Sequence, residues 1–182
     1  GGGIVANGEM VYGQGGTAGE LGHVTVRPGG RRCGCGRRGC LETYVSATGI
    51  VRTMLEILAD DPRPSKLRSV AVECLDSRMI AEAALDGDEA ARAAFEMTGR
   101  ILGEALANFV AFSFPEAIFL FGGLAKSGDL LWEPTKRHME ANLLRNYKGR
   151  VKLLPSGIDG ANAAVLGASA LVWKELRKLE SR

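Results

Sequence analysis

A chain of 182 residues, 46% hydrophobic and 24% charged, is long enough to bury one sizeable core and has the ordinary composition of a globular domain. Its net charge of +2 singles out no partner, and the pairs Arg31–Arg32 and Arg37–Arg38 read as a solvated loop, or as phosphate contacts beside glycines, before they read as a nucleic-acid footprint. No apolar run reaches the length of a membrane span, and no basic-then-apolar leader opens the chain.

In chain order, Ile4 to Tyr12 sets Asn7-Gly8 between two short apolar runs, the strongest short-range hairpin signal. A strand is expected at His23 to Val26. Helical spacing then runs from Leu41 to Ala59, interrupted at Gly49 and stopped by the acidic, proline-containing Asp60 to Pro64. Asp60 to Ser69 is the one linker candidate. A short helix is predicted over Met79 to Leu85, followed by a long one capped by Asp88 and reaching Phe112. Its Phe95, Leu102, Leu106, Phe109 and Val110 recur at helical spacing, which makes a core or subunit-interface stripe rather than a cofactor box.

Ala117 to Phe121 is wholly apolar and bounded by Pro115 and Gly122-Gly123, the pattern of a buried parallel strand ending in a glycine turn. Ligands bind at such turns in open α/β sheets, although a double glycine alone is a weak signal. A helix at Leu130 to Leu144, a strand at Val151 to Leu154 and a final helix from Ala161 to Leu176 complete an alternating α/β order in a single domain spanning 1–182. His138 reads as a solvated surface residue and Cys74 as a small buried hydrophobe. No internal repeat or low-complexity tract is visible.

The densest chemistry lies between positions 20 and 42. His23 precedes Cys33, Cys35 and Cys40, so three thiolates and one imidazole supply the donor set of a closed structural zinc site. Disulfides would have to join cysteines that lie very close together in a tight loop. Pro28 to Gly30 turns the chain back, and Gly34, Gly36 and Gly39 permit a compact backbone around one ion. Glu20 and Glu42 flank the ligands. The spacing also fits a zinc knuckle without chemistry, the two glutamates being solvated; alternatively they grip the hydroxyls of a polyol such as a sugar.

Glu-x-Gly-His followed by Cys-x-Cys-Gly-x-x-Gly-Cys-x-Glu resembles the signature of the ROK family, whose enzymes are ATP-dependent sugar kinases of the actin-like ATPase fold. Within the family the resemblance is greatest to bacterial glucokinases, carried by Ala18 to His23, Cys40 to Tyr44 and Ala163 to Leu171. Gly1 to Gly8 is similar to the end of the family's second phosphate segment and its hairpin, and Phe121 to Asp129 to its adenosine segment. The resemblance implies that Glu20, His23 and Glu42 contact sugar hydroxyls while His23, Cys33, Cys35 and Cys40 hold zinc, one ring nitrogen of His23 on the metal and the other facing the sugar. It implies an ATP site in Gly1, Gly2, Gly3, Gly122 and Gly123, Mg-ATP as phosphoryl donor and glucose as the hexose. A homodimer assembled through this domain is implied as well.

The family's Asp-x-Gly-x-Thr phosphate loop and its Asn-Asp catalytic base do not occur here, and Asp159 and Asn162 read as a cap or turn instead. The chain therefore reads as the C-terminal half of a sugar kinase, without the N-terminal domain and inactive alone. A sugar-sensing ROK repressor domain, without direct nucleic-acid contact of its own, is the alternative. A zinc-stabilised interaction module is a third reading. Thiolate ligands point to a reducing compartment, the cytoplasm.

Overall fold

The computed structural model describes residues 1–158 and 163–180. Asp159 and Asn162 lie outside them. The chain opens with the expected hairpin, β1 (Val5–Ala6) against β2 (Glu9–Met10), turned by Asn7 at φ 54° and Gly8 at φ 76°. Two successive left-handed residues match the twist of the flanking strands, which explains why Asn-Gly is found there.

Two helices follow the cysteine loop, α1 (Glu42–Val45) and α2 (Ala47–Asp60). The break falls at Ser46, not at Gly49 as the sequence suggested. Ser46 is extended and its hydroxyl accepts the Gly49 N–H, so it caps α2. Gly49 stays helical and serves the close fold-back: a Cβ there would lie 2.7 Å from the Tyr44 carbonyl carbon.

Residues 60–69 form no free linker. The Arg68 guanidinium donates to the carbonyls of Leu58, Asp61 and Arg63, and Asp88 accepts from Ser65 Oγ and the Lys66 N–H. Leu67 is buried. Cys74 proves exposed rather than buried, on a short turn just before α3 (Ser77–Leu85).

The spine of the fold is α4 (Glu89–Ser113), capped by Asp88 as expected. Its first half closes a core with α2 and α3 around Ile50, Met54, Ile80 and Phe95. Its second half packs Leu102, Leu106 and Val110 against Met139, Leu143 and Val151. Each such side chain contributes about 1.5–3 kcal/mol when fully buried. A third cluster, Leu41, Tyr44, Ile101 and Ala105, fastens the cysteine loop to the middle of α4.

β3 (Ala117–Leu120) and β4 (Lys152–Pro155) pair in parallel, Ala117 opposite Lys152, with α5 (Asp129–Asn142) as the crossover. The expected strand is present but not wholly buried: Phe119 is 59% exposed. Among the described residues β3 has one hydrogen-bonded neighbour, which leaves its other edge unpaired within the sheet. α5 approaches α4 closely because Gly99 and Gly103 carry no side chain. A Cβ at Gly99 would lie 2.6 Å from Pro134 Cγ, and one at Gly103 would lie 2.5 Å from the Thr135 carbonyl oxygen. His138 is not simply solvated: its Nε2 lies 2.8 Å from Glu96 on α4, a carboxylate shared with Arg137. The final helix, α6 (Ala163–Glu180), is joined to the opening hairpin by Lys174 and Glu9 at 2.6 Å.

Candidate metal centre and sugar site

The loop between Val24 and Leu41 is built as a folded-back ladder. Val26 N–H donates to Gly39 O at 2.8 Å, Leu41 N–H to Val24 O at 2.9 Å, and Gly39 N–H to Arg31 O at 2.9 Å. At its tip Cys33 N–H reaches Arg37 O at 2.9 Å, which turns Cys35 back over Cys40. Gly39 is required here: φ is 76°, and a Cβ would fall 1.7 Å from Arg27 O. The strand expected at His23 to Val26 does not form. Leu21–His23 is a 3-10 turn, and only Thr25 bridges to Cys40, because His23 is rotated inward to the thiols.

The donor atoms of His23, Cys33, Cys35 and Cys40 all lie within 4.8 Å of one another. His23 Nδ1 is 3.6 Å from Cys33 Sγ, and Cys35 Sγ is 3.6 Å from Cys40 Sγ. A tetrahedron with metal–sulfur arms of ~2.3 Å has edges of about 3.5–3.8 Å, so the spacing fits one ion, while a disulfide needs ~2.05 Å. The cysteines are indeed free thiols. Burial, followed by the neighbouring sulfurs of Cys35 and Cys33, pushes the Cys40 thiol up to about 11. The Arg37 backbone N–H instead lowers Cys35. A buried thiol that resists ionisation beside two others is suited to a cation, whose charge reverses that resistance. The set therefore fits a thiophilic divalent metal such as zinc.

The carboxylates stand around the imidazole. Glu20 Oε2 is 3.8 Å from His23 Nε2 and Glu42 Oε2 is 3.7 Å from Nδ1; both side chains are at least half exposed, against 32% for the ring. These distances exceed a hydrogen bond to the ring; the Cys33 thiol donates to Glu42 Oε2 at 3.9 Å, and both carboxylates keep enough exposure to accept from a ligand arriving through solvent. With Nδ1 turned to the thiols and taken up by a metal, Nε2 would be the ring nitrogen left to donate toward Glu20. Two acceptors and one donor on one rim form a grip suited to vicinal hydroxyls.

Of the other glycines singled out in the sequence, Gly1 to Gly3 lie against this rim. A Cβ at Gly2 would sit 2.7 Å from Gly19 O, immediately before Glu20. Gly122, at φ 111°, and Gly123 follow β3 in open space and touch none of the cluster, since a Cβ on either meets nothing within 4 Å.

The arginines are the feature that the sequence reading missed. Arg37 donates to His23 O and to Thr25 Oγ1, both at 3.0 Å, and Arg38 donates to Gly30 O at 3.3 Å. Arg31 is only 10% exposed and lies over the Tyr44 ring at 4.5 Å. Arg32, Arg37 and Arg38 are exposed, as a solvated loop requires, whereas Arg31 is a largely buried bracket of the loop. The only sequence trace of this is Thr53 and Glu56, one helical turn apart and so presenting two acceptors on one face of α2.

A profile of the ROK family matches residues 1–175. A glucokinase from Halalkalibacterium halodurans is 37% identical over 99% of this chain and 55% of its own length. The DNA-binding transcriptional dual regulator NagC of Escherichia coli K12 is 30% identical over 97% of this chain and 42% of its own. Among solved structures, a ROK family glucokinase from Streptomyces griseus in complex with glucose and AMPPNP superposes with a TM-score of 0.82 at 29% identity, covering 93% of this chain and 55% of that one. The chain thus spans about half the length of the curated relatives it matches.

Proposed function

The chain belongs to the ROK family, and from that membership we propose that it is the sugar-binding half, with part of the ATP site, of an ATP-dependent hexose kinase that converts glucose to glucose 6-phosphate. The observation that carries this reading is the rim of Glu20, His23 and Glu42, two solvent-exposed carboxylates on either side of a histidine that sits against the thiol cluster. The likeness to a glucokinase solved with glucose and AMPPNP supports the choice of ligands. In fold terms the chain corresponds to the second domain of an actin-like ATPase, spanning 1–182.

Zinc held by His23, Cys33, Cys35 and Cys40 supplies no reacting group; it fixes the shape of the loop. Glu20 and Glu42 accept hydrogen bonds from neighbouring hydroxyls and His23 Nε2 donates to a sugar oxygen, which orients the ring for in-line attack on the donor phosphate. Gly1 to Gly3, of which Gly2 and Gly3 already sit against Gly19, let phosphate approach the sugar rim through bare backbone. Gly122 and Gly123 complete the nucleotide side, and Mg-ATP is the donor. The base that takes the hydroxyl proton is not among these residues. The protein works in the cytoplasm as a homodimer.

A coupled assay with glucose and Mg-ATP tests the reading on the full-length protein. Turnover is expected there; absence of both turnover and glucose binding rejects it. NagC's match over nearly the whole chain favours one second reading, a sugar-sensing regulator domain. A regulator binds the sugar without turning it over and carries a helix-turn-helix segment where the kinase carries Asp-x-Gly-x-Thr and Asn-Asp.

A further inference from the structure

Arg31 spends every N–H of its guanidinium on the elements around the rim. Nε donates to Glu56 Oε1 at 2.9 Å and Nη2 to Glu56 Oε2 at 2.6 Å and to Thr53 Oγ1 at 2.9 Å. Nη1 donates to the carbonyls of Thr43 at 2.8 Å and Gly49 at 3.0 Å. Thr43 is the residue after Glu42 in a helix of four residues, whose carbonyls have few partners of their own. The backbone of Arg31 is tied as well. Its N–H donates to the Tyr44 hydroxyl at 3.1 Å, and its carbonyl accepts from Gly39, next to Cys40.

We infer that Arg31 is the positioning residue for Glu42: it locks the cysteine hairpin, α1 and the first turns of α2 into one body, so that the Glu42 carboxylate is held in register with the histidine. This rests on the reading of Glu42 as a sugar contact. An ammonium cannot replace the fork, since it has three donors at one point where the site presents acceptors on three sides. The thiol ligands do not depend on the side chain in the same way, because the hairpin ladder that aligns them is made of backbone bonds.

The test is a double-mutant cycle in the full-length protein, with glucose affinity read by calorimetry and zinc by metal analysis. Glu42→Gln is expected to weaken glucose binding at least tenfold and Arg31→Lys about five- to tenfold, both with zinc retained. The double variant is expected to bind within about twofold of Glu42→Gln, since Arg31 acts through the carboxylate already removed. Wild-type affinity in Arg31→Lys, or a double variant whose loss is the product of the two single losses, overturns the inference and leaves the sugar reading standing. Wild-type affinity in Glu42→Gln removes the sugar role of Glu42 and the inference with it. If Arg31→Lys does not fold, Glu56→Gln loosens two of the five bonds. It is expected to lower affinity measurably and non-additively with Glu42→Gln; unchanged affinity overturns the inference.

Discussion

His23 Nε2 stands 3.8 Å from the Glu20 carboxylate while Nδ1 of the same ring lies 3.6 Å from Cys33 Sγ. One imidazole thus joins a thiol cluster to an open carboxylate rim, and the consequences can be measured separately on each side.

On the thiol side, the protein is expected to hold one zinc per chain. Cys35→Ser removes an exposed donor and should drop occupancy well below half, without the core damage that a change at buried Cys40 would cause. Hydrogen exchange after chelation should rise first between His23 and Glu42. Full zinc content in Cys35→Ser, or exchange that rises evenly over the chain, contradicts the assignment.

Zinc uptake should release protons. The metal-free Cys40 thiol, pushed up to about 11 by burial and its sulfur neighbours, is protonated at neutral pH and must ionise to bind. Affinity is therefore expected to increase from about pH 6 to about pH 9, and titrations in buffers of different ionisation enthalpy should give different heats. Heats independent of buffer would show that no proton leaves.

On the carboxylate side, Glu20→Gln keeps the shape of the rim and removes a charge-assisted acceptor worth roughly 1.5–3 kcal/mol. Glucose affinity should fall at least tenfold while thermal stability stays unchanged. Equal affinity in wild type and Glu20→Gln moves the sugar away from this rim.

Gly103→Ala should destabilise the fold by about 1–3 kcal/mol, because the added methyl meets the Thr135 carbonyl oxygen and forces α4 and α5 apart. Urea unfolding measures it. Zinc content should not change, since the cysteine loop packs on Ile101 and Ala105, which lie on the opposite face of α4 from Gly103. A variant as stable as wild type would mean that the helices separate without cost.

The Arg137 guanidinium, and after it His138, holds the Glu96 carboxyl below its ordinary value. Its contribution to stability is present above the usual carboxylate range of about 4.3 and is lost as pH falls through the lower folded value. The urea midpoint of wild type should therefore decline more steeply under acid than that of Glu96→Gln. Parallel declines would assign acid sensitivity to other groups.

Local pattern carried most of the reading of this chain. Asn7-Gly8, the Asp88 cap, the stripe from Phe95 to Val110 and the close spacing of the cysteines are each signals confined to a few residues, and each element formed where its signal lay. What stayed hidden depends on distant partners. Nothing near Arg31 distinguishes it from Arg32, Arg37 and Arg38; its acceptors on α2 lie some twenty residues on and become visible only once the hairpin has folded over them. Gly49 looked like a helix break because the fold-back of α1 that it admits is a tertiary contact. Cys74 followed the average behaviour of cysteine, which its turn before α3 does not share.

All four donors of the thiol cluster come from one continuous stretch, His23 to Cys40, held by bonds within that stretch. Bringing the ends of so short a segment together costs little chain entropy, and none of the helices is needed to align the donors. If the cluster holds zinc as proposed, the hairpin is able to capture it during synthesis as soon as Leu41 has left the ribosome, well before α4 exists to pack on Tyr44. Metal scarcity would then slow the maturation of newly made chains more than it would strip finished ones, and the shortage would register as low yield rather than as low activity per molecule.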